Sequence, residues 1–140
     1  MISRYNSIAL RINSLQPGTM IANESFEITE EDLVCYLNAI GSSIPLSSSK
    51  LNIPSIAIAA WSLGSSMKAI SLPEGAVHIS HQISSSRSVG VGARINFLSS
   101  IIQNELRRGV RFLKIEIKVT EEDRPIIKQV ATITIKESDA

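Results

Sequence analysis

The spacing of hydrophobic residues changes once along this sequence, close to residue 77. Before that point, apolar residues in two segments recur three or four positions apart, which is the spacing of a helix. After it they alternate with polar residues, which is the spacing of a half-buried strand. The order of the patterns therefore predicts two helices followed by long strands.

Residues 26–41, FEITEEDLVCYLNAIG, predict a helix with well-marked ends. Thr29 is a suitable N-cap, and Asp32 three residues later gives a capping box with aspartate where glutamate is usual. Leu33 and further apolar residues follow at helical spacing, and Gly41 suits the position just after the last turn. We expect a surface helix of about three turns that packs on one face.

Residues 53–70, IPSIAIAAWSLGSSMKAI, predict a second helix of a different kind. Pro54 and Ser55 suit its start, apolar residues occupy most of its circumference, and Lys68 is its only charge. The segment is too short for a membrane span, which needs roughly 18 apolar residues. We therefore expect a central helix over residues 54–70 that is buried nearly all round by the rest of the chain.

Strand patterns cover most of the remaining chain. We expect one long strand over residues 77–89, a second over 95–106, a third over 112–119 and a last one around the alternating residues 131–135. The short connections predict an antiparallel meander with one face buried. One sheet curled around one apolar helix, in a single α+β domain of residues 1–140, satisfies the whole pattern.

Composition argues against several classes of function. The net charge is +1 and only 4% of residues are aromatic, which disfavours a nucleic-acid binder with a basic or stacking surface. No basic segment followed by an apolar run opens the sequence, so we expect no signal peptide, no membrane span and a cytoplasmic protein. The single cysteine, Cys35, is expected to be a buried small apolar residue, the alternative being a reactive thiol.

The stretch GSSIPLSSS, residues 41–49, has the outline of a functional loop. It combines a glycine able to end a helix, a central proline and small polar residues. It contains no carboxylate, imidazole, thiol or amine, so none of its side chains moves a proton near neutral pH without help from another group.

In order and spacing, four segments resemble the MaoC-like hydratase and dehydratase group of hotdog proteins, which act on acyl thioesters. Residues 26–41 resemble the helix before the family's active-site loop, and GSSIPLS stands where the family carries Gly-Asp-x-Asn-Pro-(Leu/Ile)-His. VHISHQISSSRSVGVGARI resembles its strand and turn segment, and RRGVRFLKIEIKVTEEDRPIIKQVATITI its closing hairpin. The resemblance spans residues 17–136 and implies a hotdog fold, an antiparallel sheet wrapped around a central buried helix.

The loop departs from the family motif at the catalytic positions. Carried over by position, the family's catalytic aspartate and histidine fall on Ser42 and Ser47. The asparagine position is Ile44, whereas Pro45 and Leu46 keep the family's residues. Hydration of an enoyl thioester needs a base to activate water and an acid to protonate the alpha carbon. The resemblance therefore implies a member without a catalytic acid or base of its own.

The resemblance also implies where a substrate binds. The family is thought to hold the thioester oxygen with backbone N–H groups at the start of the buried helix, which requires no catalytic side chain. The substrate-binding residues expected on this ground are Ile53, Pro54, Ser55, Ile56 and Ala57, with Trp61 farther along the helix. We expect no cofactor and no metal.

The two histidines of the chain, His78 and His81, fall on the predicted strand after the second helix. Side chains alternate along a strand, so residues three apart are expected on opposite faces, which argues against a paired site. No carboxylate or cysteine lies nearby at a ligand spacing, which argues against a metal site. Arg107, Arg108 and Arg111 are expected in a solvated hairpin turn, the alternative being a contact with the phosphates of coenzyme A.

Three functional hypotheses follow. The first is a catalytically silent MaoC-like subunit that binds an acyl-CoA or an acyl carrier protein thioester and completes a site with a catalytic MaoC-like partner. The second is a homodimeric acyl-CoA-binding protein or hotdog thioesterase, which the lack of a carboxylate between Leu33 and Met67 disfavours. The third is an active hydratase that uses other residues. The choice between a homodimer and a heterodimer stays open.

Overall fold

The computed structural model describes residues 10–41 and 52–137 of the 140-residue chain. Two helices, α1 (Glu30–Ala39) and α2 (Ser55–Met67), precede most of the strands, and a short 3-10 turn lies at Ile12–Ser14. The strands are β1 (Leu10–Arg11), β2 (Met20–Glu27), β3 (Asn52–Ile53), β4 (Ile70–Ser71), β5 (Val77–Ser85), β6 (Val89–Gly90), β7 (Arg94–Arg107), β8 (Val110–Glu121) and β9 (Arg124–Lys136).

The main sheet has five antiparallel strands in the order β2-β7-β8-β9-β5. Strands β7, β8 and β9 form the predicted meander, while β2 and β5 form the two edges. Two small sheets, parallel β1-β4 and antiparallel β3-β6, join segments on either side of α2. The α+β class and the antiparallel meander predicted from the sequence are confirmed.

The alternation of apolar and polar residues accounts for the central strands. In β8, Leu113, Ile115, Ile117 and Val119 are buried at every second position, and the residues between them are less buried or exposed. This pattern belongs to a sheet with one face on the core and the other toward solvent. The long strands of the meander therefore form one wall of the core. The buried helix faces that pack against the sheet form the other wall.

Helix α1 begins as its capping signals predict. The Thr29 hydroxyl accepts a hydrogen bond from the Asp32 backbone N–H at 3.1 Å, and the Asp32 carboxylate accepts one from the Thr29 N–H at 2.9 Å. Leu33 and Leu37 are the buried residues of the helix, and Gly41 follows it with a φ of 72°. A left-handed residue at this position suits glycine.

Cys35 is exposed, so the expectation of a buried cysteine is wrong. The reason is its position on the helix. At 100° per residue, Cys35 lies about 200° from both Leu33 and Leu37, on the side opposite the buried face.

Helix α2 is buried on one side rather than nearly all round, which corrects the prediction. Its buried residues include Ala57, Ile58 and Ser62, whereas Ile56 is 54% exposed, and Ala60 and Gly64 are exposed at the following turns. The three exposed residues, Ile56, Ala60 and Gly64, recur every four positions and form one stripe along the helix. The sheet of a single chain covers the opposite side and leaves this apolar stripe open.

None of the helices in the described residues has the length and hydropathy needed to cross a membrane.

The expected strand over residues 77–89 is two strands. The first, β5, ends at Ser85, and Ser86 still donates its N–H to the Ile126 carbonyl at 2.7 Å. The chain then leaves the main sheet, and β6 pairs instead with β3, which places Val89 opposite Ile53. This second pairing fixes the segment that immediately precedes α2.

Candidate functional site

The start of helix α2 has no side-chain cap. Pro54 occupies the N-cap position with φ −58° and ψ 132°, and it makes no side-chain hydrogen bond to the first turn. The Ala57 N–H donates to the Pro54 carbonyl at 3.0 Å. The N–H groups of the first turn have no partners inside a helix, and they form the positive end of its dipole. The role of the Ser55 and Ile56 N–H groups as donors to a ligand stays a prediction.

The same helix end is held in place on two sides. The Ser55 hydroxyl lies 2.9 Å from the Ser85 hydroxyl, which links the helix to the end of β5. Ile53 is 3% exposed and is held by the β3-β6 pairing. Donors fixed before a ligand arrives bind an oxygen atom without a further ordering cost.

The loop that leads to this site includes Ser42 and Ser47, and both lie outside the described residues. Their expected positions in place of a catalytic aspartate and histidine stay a prediction. The described chain stops at Gly41, just after α1, and resumes at Asn52, two residues before Pro54. The described residues that flank this segment are therefore the end of α1 and the start of β3.

Trp61 lies in a cluster of aromatic rings. Its ring centroid is 6.5 Å from that of Phe26 and 6.3 Å from that of Tyr36, both in edge-on arrangements. Phe26 in turn contacts Phe97 at 6.0 Å. These contacts join α2 to α1 and to the β2 side of the sheet. The role of Trp61 in binding a substrate stays a prediction.

An apolar cavity of about 110 Å³ lies between α2 and the sheet. Its lining comes from the second half of α2, the following segment, β5 and β9: Leu63, Met67, Leu72, Ala76, His78, Ala131 and Ile133. Engineered apolar cavities of about 150 Å³ bind benzene, so a cavity of this size suits a small apolar group. None of the six substrate-binding residues expected from the sequence lines it.

His78 and His81 lie on the same face of β5, so the expectation of opposite faces is wrong. A bulge between His78 and Ser80 adds one residue to the strand, which places His78 opposite Ile133 and His81 opposite Ala131. Their ring centroids are 5.1 Å apart. A bulge shifts the alternation of side chains by one position. The two imidazoles therefore form the pair that strict alternation had argued against.

Buried polar groups connect His81 to helix α2. The His81 Nε2 atom lies 2.6 Å from Gln129 Oε1, and the Gln129 amide donates to the Ala59 carbonyl at 3.0 Å and to the Ser62 hydroxyl at 2.8 Å. Gln129 and Ser62 are fully buried. Buried polar side chains that have all their partners fix the register of the elements that they join. No feature of the sequence alone indicated this network.

The arginines near the β7-β8 hairpin have partners or lie in solvent. Arg107 pairs with Glu105, Arg111 pairs with Glu137, and Arg108 is exposed in the turn with a φ of 50°. These contacts favour the solvated hairpin over a phosphate site.

In the described part of the chain, no group of three or more histidine, cysteine, aspartate or glutamate residues is placed to hold a metal ion.

No protein-family model matches the chain, and the search of curated proteins found no match to its sequence. Solved structures are similar in fold. The MaoC-domain dehydratase described as putative from Chloroflexus aurantiacus superposes with a TM-score of 0.76 at 16% identity, covering 94% of this chain and 41% of that one. The R-hydratase PhaJ1 of Pseudomonas aeruginosa gives 0.72 at 14% identity, covering 91% and 86%.

A chain of the ChsH1-ChsH2 complex from Mycobacterium tuberculosis gives a TM-score of 0.68 at 11% identity, covering 100% of this chain and 96% of that one. At these identities the likeness concerns the fold. The five-stranded antiparallel sheet of this chain, with a helix against one face, superposes on these neighbours over most of its length. The chain therefore has the hotdog fold expected from the sequence.

Proposed function

We propose that this chain is a MaoC-like subunit that binds acyl thioesters and completes its catalytic site with a partner chain that carries the aspartate and histidine absent here. The observation that carries the proposal is the uncapped start of α2, where Pro54 leaves the N–H groups of Ser55 and Ile56 to a ligand. The ligand is an acyl thioester of coenzyme A or of acyl carrier protein. The described fold and its neighbours support this class of ligand.

The thioester oxygen would accept hydrogen bonds from the first turn of α2. A carbonyl oxygen that gains negative charge is stabilised by fixed N–H donors and by the positive end of a helix dipole. Each such hydrogen bond contributes about 1 kcal/mol to binding. These donors belong to the backbone, so the binding function survives the loss of the catalytic side chains at positions 42 and 47.

The acyl group would occupy the cavity between α2 and the sheet. Its lining is almost entirely apolar, and it lies on the inner side of the same helix whose first turn offers the N–H donors. Its volume of about 110 Å³ favours a short acyl chain in the isolated subunit. A partner that covers the open stripe of α2 at Ile56 and Ala60 would extend this apolar surface.

The isolated chain would bind its ligand without converting it. Hydration or dehydration requires both a base and an acid with pKa values near the working pH. The segment that stands in the place of the family motif offers the hydroxyl groups of Ser42 and Ser47 instead. A hydroxyl group takes up and releases protons far from neutral pH unless a neighbouring base activates it.

The partner would join the sheet at β5. This edge strand, VHISHQISS, has no charged residue, and Val77 and Ile79 are 54% and 53% exposed. Among the described strands, none pairs with its outer side. The opposite edge, β2, carries Glu24 and Glu27, the kind of charge that protects an exposed edge from pairing. The occupant that we propose is the edge strand of a second, catalytic MaoC-like chain.

A second apolar surface lies beside this edge. On the side of β5 that faces α2, Ile83 is 40% exposed, and on α2 Ile56 is 54% exposed. The Ser55–Ser85 contact places the start of the helix next to the end of this strand. A partner that continues the sheet at β5 would therefore also meet apolar residues of α2. The ChsH1-ChsH2 neighbour, named as a complex, supports assembly of two different chains.

Co-expression with a MaoC-like chain that retains the motif aspartate and histidine tests the proposal. We expect a stable heteromeric complex by light scattering, and more enoyl-CoA hydration by the complex than by the partner alone. The Ile79→Lys variant adds a charge to the β5 edge and should weaken the complex at least about tenfold. The matched control is Asn23→Lys on the β2 edge, where the side chain is also exposed.

Two outcomes would contradict the proposal. A stable homodimer that ignores every such partner would leave the homodimeric acyl-CoA-binding protein as the better description. Hydrolysis of acyl-CoA by the isolated chain would favour a thioesterase.

A further inference from the structure

The two histidines of β5 lie side by side at a ring spacing that two ligands of one metal ion can have. The ring centroids of His78 and His81 are 5.1 Å apart, with an angle of 43° between the ring planes. Two imidazoles bound to one ion at about 2.0 Å, with a near-tetrahedral angle at the ion, have centroids about 5 Å apart. The bulge at residue 79 creates this arrangement, because it brings both rings to one face of the strand.

The contacts of Gln129 determine which nitrogen of His81 is available. The Ala59 carbonyl oxygen only accepts hydrogen bonds, so the Gln129 atom that faces it is the amide nitrogen. The Gln129 oxygen therefore faces His81 Nε2, 2.6 Å away, and Nε2 must carry the proton. In the neutral ring, the lone pair is then on Nδ1.

This contact is the one that metal-binding histidines use. A histidine ligand usually donates the N–H of its second nitrogen to a carbonyl or carboxylate oxygen, which fixes the ring and its tautomer. The amide of Gln129 does this for His81, and it is itself fixed by Ala59 and Ser62. The surroundings of His78 are apolar, with Leu63, Met67 and Ile133 next to it in the cavity wall.

We propose that His78 and His81 bind one divalent transition-metal ion, Zn²⁺, Ni²⁺ or Cu²⁺, with Nδ1 of His81 as one ligand. Imidazole nitrogen favours these ions, whereas Mg²⁺ and Ca²⁺ prefer oxygen ligands. The described residues offer no third protein ligand, so water fills the other positions. The site lies on the open edge strand and at the wall of the cavity. It does not depend on the thioester function.

Titration of the untagged chain with Zn²⁺ or Ni²⁺, followed by calorimetry, tests the site. We expect one ion per chain, and His78→Ala and His81→Ala should each weaken binding at least about tenfold. Ser80→Ala is the matched control, because Ser80 is exposed on the same strand and lies opposite Thr132, away from the two imidazoles. Mg²⁺ should give no heat of binding. Thermal melting shows whether each variant remains folded.

The proposal is overturned if the wild-type chain binds neither Zn²⁺ nor Ni²⁺ at millimolar concentration. It is also overturned if the variant with both His78→Ala and His81→Ala binds the ion as tightly as the wild type. Nitrogen-15 NMR gives a second reading that does not rely on affinity. Before metal is added, His81 should show the Nε2–H tautomer, and Zn²⁺ should shift Nδ1. A Zn²⁺-induced shift of His81 Nε2 instead would contradict the role of Gln129.

Discussion

The two helices of this chain begin in opposite ways. Helix α1 has a complete capping box between Thr29 and Asp32 and three acidic residues in its first turn. Helix α2 begins at Pro54 with no side-chain cap and no acidic residue in its first turn. Both helices have N–H groups that need partners. In α1 the Thr29 and Asp32 N–H groups bind the helix's own side chains, whereas the first turn of α2 has no such cap, and we propose that its N–H groups bind a ligand.

The inner faces of the helices differ as well. Helix α1 buries leucines, Leu33 and Leu37, whereas α2 buries Ser62 and Ser66 together with its apolar residues. The Ser66 hydroxyl bonds to the Ser62 carbonyl at 2.7 Å and contacts the Ser99 hydroxyl on β7. These polar contacts fix how α2 sits on the sheet, and thereby where its open first turn points.

The largest effect is expected from Ile58→Ala in α2. Ile58 is 1% exposed, and the loss of a buried isoleucine side chain costs about 3 kcal/mol of the free energy of unfolding. Ile56→Ala is the matched control on the open stripe and should change the free energy of unfolding by less than about 0.5 kcal/mol. Urea denaturation measures both. Equal effects would mean that the stripe is covered within the single chain.

Gln129→Leu should have the second largest effect and lower the free energy of unfolding by about 1–3 kcal/mol. The variant removes three hydrogen bonds and leaves the buried Ser62 hydroxyl without the donor that it accepts from. Gln82→Leu, on the exposed side of β5, is the control and should be close to neutral. Chemical denaturation of the two variants compares them. A neutral Gln129→Leu would show that the polar network does not fix α2.

Ser55→Pro tests the open helix end directly. Proline is tolerated at the first position of a helix, and the ψ of 132° at Pro54 suits a residue before proline. The variant removes one N–H donor, so acyl-CoA should bind about tenfold more weakly. Ser55→Ala removes the hydroxyl group and keeps the N–H, and it should bind nearly as the wild type does. If calorimetric titration gives the same affinity for Ser55→Pro and Ser55→Ala, the Ser55 N–H does not bind the ligand.

The smallest effect is expected at the capped helix. Thr29→Ala removes the cap of α1 and should cost about 1 kcal/mol of stability. Acyl-CoA affinity should stay unchanged, because the proposed ligand site lies at the start of α2 and not at α1. Thr29→Ser keeps the hydroxyl and should restore most of the stability, as thermal melting would show. A marked loss of acyl-CoA affinity in Thr29→Ala would break the distinction between the two helices.

Local signals in the sequence were enough for α1 and for β8. The cap at Thr29 and the alternation from Leu113 to Val119 depend on neighbouring residues only, and the structure confirms both. The hotdog fold was also predicted correctly, because four segments of the sequence resemble a family that has this fold.

The features that were missed depend on long-range pairing. The bulge at residue 79 has no marker in VHISHQISS, since it arises from the way β5 pairs with β9. The open stripe on α2 is apolar in sequence, and only the extent of the sheet reveals that one chain leaves it uncovered. The departures from the family motif expected at Ser42 and Ser47 stay a prediction, because both residues lie outside the described residues.

The central claim is that the chain binds acyl thioesters but does not convert them by itself. Calorimetric titration of the isolated chain with a short-chain acyl-CoA, together with an assay of crotonyl-CoA hydration on the same sample, tests it most directly. We expect measurable binding that Ser55→Pro weakens, and no hydration above the uncatalysed rate. Brisk hydration by the isolated chain, or no binding at all, would contradict the account.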